Sequence, residues 1–228
     1  MSPRGGTGAR SRHGGGRRAF SILELLVTIG IIALLTMLLL GVVMHARHHA
    51  RDTRCKGNLS QLWKAVNYYA NANNDLLFVN NASPLQISNV IYKNQAPSGW
   101  GHLYPRYLKE HRLFYCPADP VRSVDWETYG WHQWETEEGE VQCSYGWRGR
   151  QGLVADEAVA LSLSEVERNP QKVVGCDFYE THTPEWRVHH SKHINVLRCN
   201  GGVSQVDAIV GFGPEVEDSQ AALDVLDR

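Results

Sequence analysis

The chain has 228 residues, 43% apolar and 21% charged, with a formal net charge of −1. That length suits one globular domain with a core plus an appendage, and the near-neutral balance excludes a whole-chain field directed at nucleic acid. Seven Trp and nine Tyr exclude disorder throughout, and a single long apolar run excludes a polytopic membrane protein.

Residues 1–19 hold Arg4, Arg10, Arg12, Arg17 and Arg18 and no acid, which leaves −6 on residues 20–228. A Gly-, Ser- and Arg-rich stretch cannot bury enough apolar surface to order itself. A basic head before an apolar run reads as a targeting segment, outside the fold proper. From Leu25 to Met44 there is no charge. As a helix this run is about 30 Å long, the thickness of the hydrocarbon core. The Arg-rich head then stays cytoplasmic, and the residues beyond Met44 lie on the other side. A secretory signal peptide has a shorter apolar region and a small-residue cleavage site. Here the run ends in His45-Ala46-Arg47-His48-His49. A plain anchor leaves Glu24 unexplained. An intramembrane carboxylate costs about 2.5–3.5 kcal/mol at the bilayer centre and less near the interface, so it calls for a cationic partner. An α-amino group at Phe20, exposed by a cut before it, would supply one.

Leu59, Leu62, Val66 and Tyr69 recur at helical spacing, widened by Ala65 and Tyr68. The pattern predicts one helix from Phe20 to Asn71, about 75–80 Å long, closed by the Asn-rich stretch that follows. Gly57 is its weak point, at about 1 kcal/mol against Ala. Residues 45–56 carry Arg47, Arg51, Arg54, Lys56 and three His, which read as a solvated face near anionic headgroups. No acid or Cys completes a metal site with His45, His48 and His49 at matching spacing.

Beyond the helix, Gly and Pro punctuate short β-like runs: Leu76–Val79, Leu85–Ile91, Leu113–Tyr115, Gln142–Tyr145, Lys172–Phe178 and Ile194–Cys199. Residues 155–167 read as loop or weak helix, with Ser164 as its N-cap. Asn200-Gly201 between Ile194–Cys199 and Val203–Val206 signals a tight hairpin with positive φ at both residues. Residues 215–228 read as a poorly held acidic tail with a short helix near its end. His182, His189, His190 and His193 lie near Asp177, Glu180 and Glu185, but neither H-E-x-x-H nor G-x-S-x-G is present. His190 is expected to anchor the hairpin by a hydrogen bond. Six Trp fall between Trp100 and Trp186, including Trp126, Trp131 and Trp134. They read as core, or else as a sugar- or protein-binding face. Cys55, Cys116, Cys143, Cys176 and Cys199 all follow Met44 and allow two disulfides with one left over, the pairing open. With no C-x-x-C, no metal and no cofactor is assigned.

Ala19 followed by Phe20-Ser21-Ile22-Leu23-Glu24 and an apolar helix resembles the type IV prepilin family, which includes the pseudopilins of type II secretion. Ala19 stands where the family usually has Gly. The segment Arg54-Cys55-Lys56-Gly57-Asn58-Leu59-Ser60-Gln61-Leu62, the Cys116-Pro117-Ala118-Asp119-Pro120 turn, and His190 separated by nine residues from Asn200-Gly201 are similar to a large bacterial subfamily. Its members carry the same N-terminus and a His, nine residues, Asp-Gly motif; Asn200 replaces the Asp. The resemblance implies cleavage between Ala19 and Phe20 by a prepilin peptidase, methylation of Phe20, and pairing of Glu24 with a neighbouring subunit's amine. It implies an α+β, pilin-like fold in which a long N-terminal helix, half in the membrane and half periplasmic, packs against a small antiparallel-sheet head. The expected organisation is a leader over 1–19, a membrane half over 20–44, a periplasmic helix over 45–72, a head over 73–214 and a tail over 215–228. The expected partners are the peptidase, other pilin-like subunits and inner-membrane lipid, with no nucleic acid. The expected location is the bacterial inner membrane, single-pass, with a periplasmic head. The expected work is non-catalytic, assembly into a secretion pseudopilus or pilus-like fibre. The alternatives are a membrane-anchored carbohydrate- or protein-binding domain, or a metal-dependent enzyme.

Overall fold

The computed structural model describes residues 21–78, 88–119, 140–148, 161–179, 187–188, 190, 193–207 and 227. The chain divides into two compact units, Met1–Ala46 and Arg47–Arg228. Helix α1, Ile22–Ala72, runs through both. It ends where the sequence predicts: the amides of Asn73 and Asp75 donate to the Ala70 carbonyl, and Asn74 and Asp75 take φ of 55° and 67°. Asn and Asp tolerate that region better than other side chains.

In the first unit every described residue of α1 is exposed. The helix is long and apolar enough to cross a membrane once. In the second unit α1 buries Asp52, Cys55, Asn58, Leu59, Leu62, Trp63, Ala65, Val66 and Ala70. This stripe packs into one core with Ile91, Tyr145, Trp147, Val174 and Leu197 of the sheet. The fold is thus α+β, a long helix packed on an antiparallel sheet.

The strands are β1 Ser88–Lys93, β2 Ala96–Pro97, β3 Glu140–Trp147, β4 Val173–Cys176, β5 Phe178–Tyr179, β6 Arg187–Val188, β7 His193–Arg198 and β8 Val203–Asp207. Six of them form one antiparallel sheet in the order β2-β1-β3-β4-β7-β8, and β5 pairs with β6. A two-residue turn at Asn94-Gln95, both at positive φ, joins β1 to β2. Trp100 and Trp147 are fully buried with ring centroids 4.6 Å apart, and Phe78 lies 4.6 Å from Trp147.

Several expected elements take another form. Leu76 makes an isolated bridge to Ser162 rather than a strand, and Val79 lies outside the described residues. Of the strand expected at Leu85–Ile91, residues 85–87 lie outside the described residues, and the described part belongs to β1, which runs on to Lys93. Leu113–Tyr115 is not a strand: His111–Phe114 is a 3-10 turn closed by Leu113 N–H to the Glu110 carbonyl and Tyr115 N–H to the Arg112 carbonyl. Three apolar residues before a Pro-rich turn are too few to compete with that local closure. The strand expected over Lys172–Phe178 breaks at Asp177, where β4 ends and β5 begins. Helix α2, Leu163–Glu167, is capped by Ser162, whose hydroxyl accepts from the Glu165 amide, and not by Ser164. Within the tail, Asp227 alone is described, and it is held. Its carboxylate pairs with buried Arg148 at 3.1 Å and accepts the Val173 amide at 2.8 Å.

The β7–β8 hairpin keeps its expected place with a different turn. Gly201 N–H donates to the Arg198 carbonyl and Arg198 N–H to the Gly202 carbonyl. Gly201 alone in the loop has positive φ, at 80°. This is a three-residue loop with a bulge rather than the two-residue form. Asn200 serves through its side chain, whose Oδ1 accepts the Gly202 amide at 2.8 Å. Gly201 is also pressed against α1: a Cβ there would sit 2.5 Å from the Trp63 indole.

Candidate functional site

Two regions carry the expected functional residues. At the N-terminus, Ala19 and Phe20 lie outside the described residues. Ser21 opens α1, its hydroxyl accepting the Leu23 amide at 3.3 Å. Glu24 sits exposed in the first turn. The two Thr of the apolar run donate back to helix carbonyls, Thr28 to Leu25 at 2.8 Å and Thr36 to Ile32 at 2.7 Å. That arrangement satisfies a hydroxyl without water. Glu24, by contrast, has no hydrogen-bond or ion-pair partner among the described residues.

The second region is a buried polar cluster in the unit that begins at Arg47. Asp52 and Cys55 come from α1, Cys116 follows the 3-10 turn, Asp177 follows β4, and His190 and His193 lead into β7. Asp177 is the hub. Its Oδ2 accepts from the Cys55 thiol at 3.0 Å and from Asn195 Nδ2 at 2.8 Å, and lies 3.1 Å from His190 Nε2. Its Oδ1 accepts the Asn195 amide at 2.7 Å. Cys116 Sγ lies 3.5 Å from the same His190 Nε2. One ligand-type atom from each of Cys55, Cys116, Asp177 and His190 lies within 4.8 Å of the other three, and all four residues are buried.

Asp52 forms the outer layer. Its carboxylate accepts from Asn195 at 2.9 Å and Gln205 at 3.0 Å, pairs with Lys56 at 3.0 Å, and lies 2.9 Å from His193 Nε2. His190 Nδ1 faces it at 3.8 Å, ion-pair range. Burial opposes the Asp52 charge, but the bonds from Asn195, His193 and Lys56 outweigh it, so the carboxyl sits well below the usual range. Burial likewise opposes the His190 imidazolium, yet the Asp177 carboxylate outweighs it and holds the His190 pKa up at about 10. For Cys55, burial, the Cys116 thiol and the Asp177 charge act together and push the thiol well above its ordinary value. Tyr145 donates to Cys55 Sγ at 3.6 Å and accepts from Asn58 at 3.2 Å, and burial raises its pKa as well.

His190 is thus bonded to this hub and not to the Asn200-Gly201 turn. The five cysteines are buried and none forms a disulfide. Cys143 donates to the Tyr145 carbonyl at 3.1 Å. Burial pushes the Cys199 thiol up to about 12, against the opposing pull of Arg148. Trp100 and Trp147 belong to the core rather than to a binding face, and Trp126, Trp131, Trp134 and Trp186 lie outside the described residues. A cleft of about 390 Å³ lined by Arg54, Asn58, Arg112 and Tyr115 reaches Cys116 from the surface.

Sequence reasoning missed Asp52, Asn195 and Gln205. One signal was present: Asp52, Cys55 and Asn58 stand three apart and continue the stripe of Leu59, Leu62 and Val66. Polar residues on a core stripe mark a buried network. No protein-family model, no curated protein and no solved structure matches the chain.

Proposed function

We propose that the chain is a pilin-like subunit of the prepilin-processed class, and that its work is assembly rather than catalysis. A peptidase cuts between Ala19 and Phe20, Phe20 is methylated, and the apolar part of α1 remains in the inner membrane as the assembly element. The observation that carries this reading is Glu24. It is the one acid in an exposed apolar run whose other polar side chains, Thr28 and Thr36, are satisfied within the helix. A carboxylate at that depth is stabilised by an opposite charge. The Phe20 amine of a neighbouring subunit is the cation the motif supplies. The head, built on the other half of α1, is the part carried outward.

Mass spectrometry of the membrane-extracted protein, made in a host with a prepilin peptidase, tests this. The expected N-terminus is N-methyl-Phe20. A chain starting near His45, or an intact Met1, overturns the processing. Glu24→Ala should still be cut and inserted, while copurification with other pilin-like subunits falls. Copurification at the wild-type level would leave Glu24 without an assembly role.

A further inference from the structure

The four-residue hub asks for more than hydrogen bonds. Two thiols, a carboxylate and an imidazole, all buried, come from four separate parts of the chain and bring one ligand-type atom each within 4.8 Å of the other three. We propose that Cys55, Cys116, Asp177 and His190 form a structural zinc site that fastens α1 to the head sheet. This inference does not rest on the assembly reading.

Two of the ligand-atom separations are close to those of a zinc tetrahedron, and the third is a thiol–carboxylate hydrogen bond that a bound ion would replace and widen. With Zn–S bonds of about 2.3 Å and Zn–N and Zn–O bonds of about 2.0 Å, N and O ligands stand about 3.3 Å apart and S stands about 3.5 Å from either. The edges here are 3.1 Å for His190 Nε2 to Asp177 Oδ2, 3.5 Å for Cys116 Sγ to His190 Nε2, and 3.0 Å for Cys55 Sγ to Asp177 Oδ2. The donor set selects the metal. Two sulfurs with one nitrogen and one oxygen suit zinc, whereas calcium and magnesium take oxygen. Four protein ligands leave no open position, so the site is structural rather than catalytic.

The surrounding shell is that of a ligand set held in place. Metal-bound imidazoles turn their second nitrogen to a carboxylate or carbonyl. His190 puts Nε2 at the hub and Nδ1 toward Asp52. Asn195 fixes both oxygens of Asp177 through its amide and its side chain. Asp52 in turn is fixed by Asn195, Gln205 and Lys56. A disulfide is the competing use of Cys55 and Cys116. The two sulfurs lie within 4.8 Å of each other, but both cysteines are free thiols, and Cys55 Sγ also meets Asp177 at 3.0 Å while Cys116 Sγ meets His190 at 3.5 Å. The cleft between Arg54 and Arg112 gives an ion a route to Cys116.

The full-length protein, purified in detergent without chelator, should carry zinc at about one equivalent per chain by elemental analysis. Stripping with a chelator should lower its melting temperature, and zinc should restore it. Reloading with Co²⁺ should give the thiolate charge-transfer band and visible transitions of tetrahedral cobalt. Cys116→Ser should lose the charge-transfer intensity of one thiolate and at least about ten-fold in affinity, while Cys143→Ser keeps both. Asp52→Asn should weaken zinc about 10–100-fold without changing the cobalt spectrum's type. Because a ligand variant can unfold, the stripping and cobalt experiments on the unaltered protein decide the matter alone. Three results would overturn the proposal: folded wild-type protein with neither zinc nor a cobalt–thiolate band, a Cys55–Cys116 disulfide in protein isolated without reductant, or zinc retained in full by both Cys116→Ser and His190→Ala.

Discussion

Helix α1 is one continuous element with two different surfaces. From Ile22 to Arg51 every residue is exposed and the side chains are mostly apolar. Its hydroxyls bond back to its own carbonyls at Leu25 and Ile32. From Asp52 to Ala70 most apolar residues lie on a stripe that is buried; Tyr68, expected to widen it, points off the stripe and is 65% exposed. The polar residues on the stripe bond outward, Asp52 to Asn195 and Gln205, Asn58 to Tyr145 and the Tyr115 carbonyl. The difference shows what periodicity measures. A helix apolar all round needs an apolar solvent, and an apolar stripe needs a partner face. Where a stripe includes polar residues, the partner face must answer them one by one.

The largest effect expected from this contrast is on the stability of the head. Leu62 is fully buried, while Leu35 is 53% exposed. Leu62→Ala should cost about 2–5 kcal/mol. Leu35→Ala should leave head stability within about 0.5 kcal/mol of wild type. Denaturant titration in detergent, followed by near-ultraviolet circular dichroism of buried Trp100 and Trp147, separates the two. Equal losses would mean that the halves of α1 are not energetically distinct.

The same contrast decides what could be read in advance. Long-period features were legible. Leu25–Met44, the stripe through Leu59 and Val66, the β-branched run at Val173-Val174 and the hairpin at Ile194–Cys199 each stand in the structure within a few residues of their expected bounds. Short features were not. Leu113–Tyr115 has too few residues for alternation to tell a strand from a 3-10 turn, and Leu76 finds its partner in Ser162 only through the fold. The hub was hidden for another reason. Its ligand atoms come from positions 55, 116, 177 and 190, so no local spacing announces them, and zinc spacing rules look for nearby pairs. His190 stood out by its motif, but its polar partners lie on α1, after the 3-10 turn and at the end of β4, not at the Asn200-Gly201 turn, and only its ring stacks on His193 of the hairpin.

A smaller effect tests how tightly the hairpin is bound to the buried half of α1. Gly201 combines a φ of 80° with a would-be Cβ 2.5 Å from Trp63. Gly201→Val should cost about 2–4 kcal/mol, part backbone strain and part overpacking against the indole. A variant pair divides these contributions. In a Trp63→Ala background the clash disappears and only the strain remains, so the penalty of Gly201→Val should shrink by about 1 kcal/mol or more. An unchanged penalty would show that the turn, and not its contact with α1, accounts for the glycine.

The smallest effect has the opposite sign and asks whether intrinsic helix propensity matters within the packed half. Gly57 lies between buried Cys55 and buried Asn58, yet it is exposed, and a Cβ built on it meets nothing within 4 Å. Its backbone is helical, so Ala fits without strain and restricts only the unfolded chain. Gly57→Ala should therefore raise head stability by up to about 1 kcal/mol. Gly41 has the same open surroundings in the apolar half. There the helix takes no part in the denaturation of the head, so Gly41→Ala should leave the midpoint in place. A gain at Gly57 with none at Gly41 would place the boundary between the two regimes of α1 inside the fifteen residues that separate the glycines. A loss at Gly57 would mean that the exposed side of the packed half is itself a contact surface.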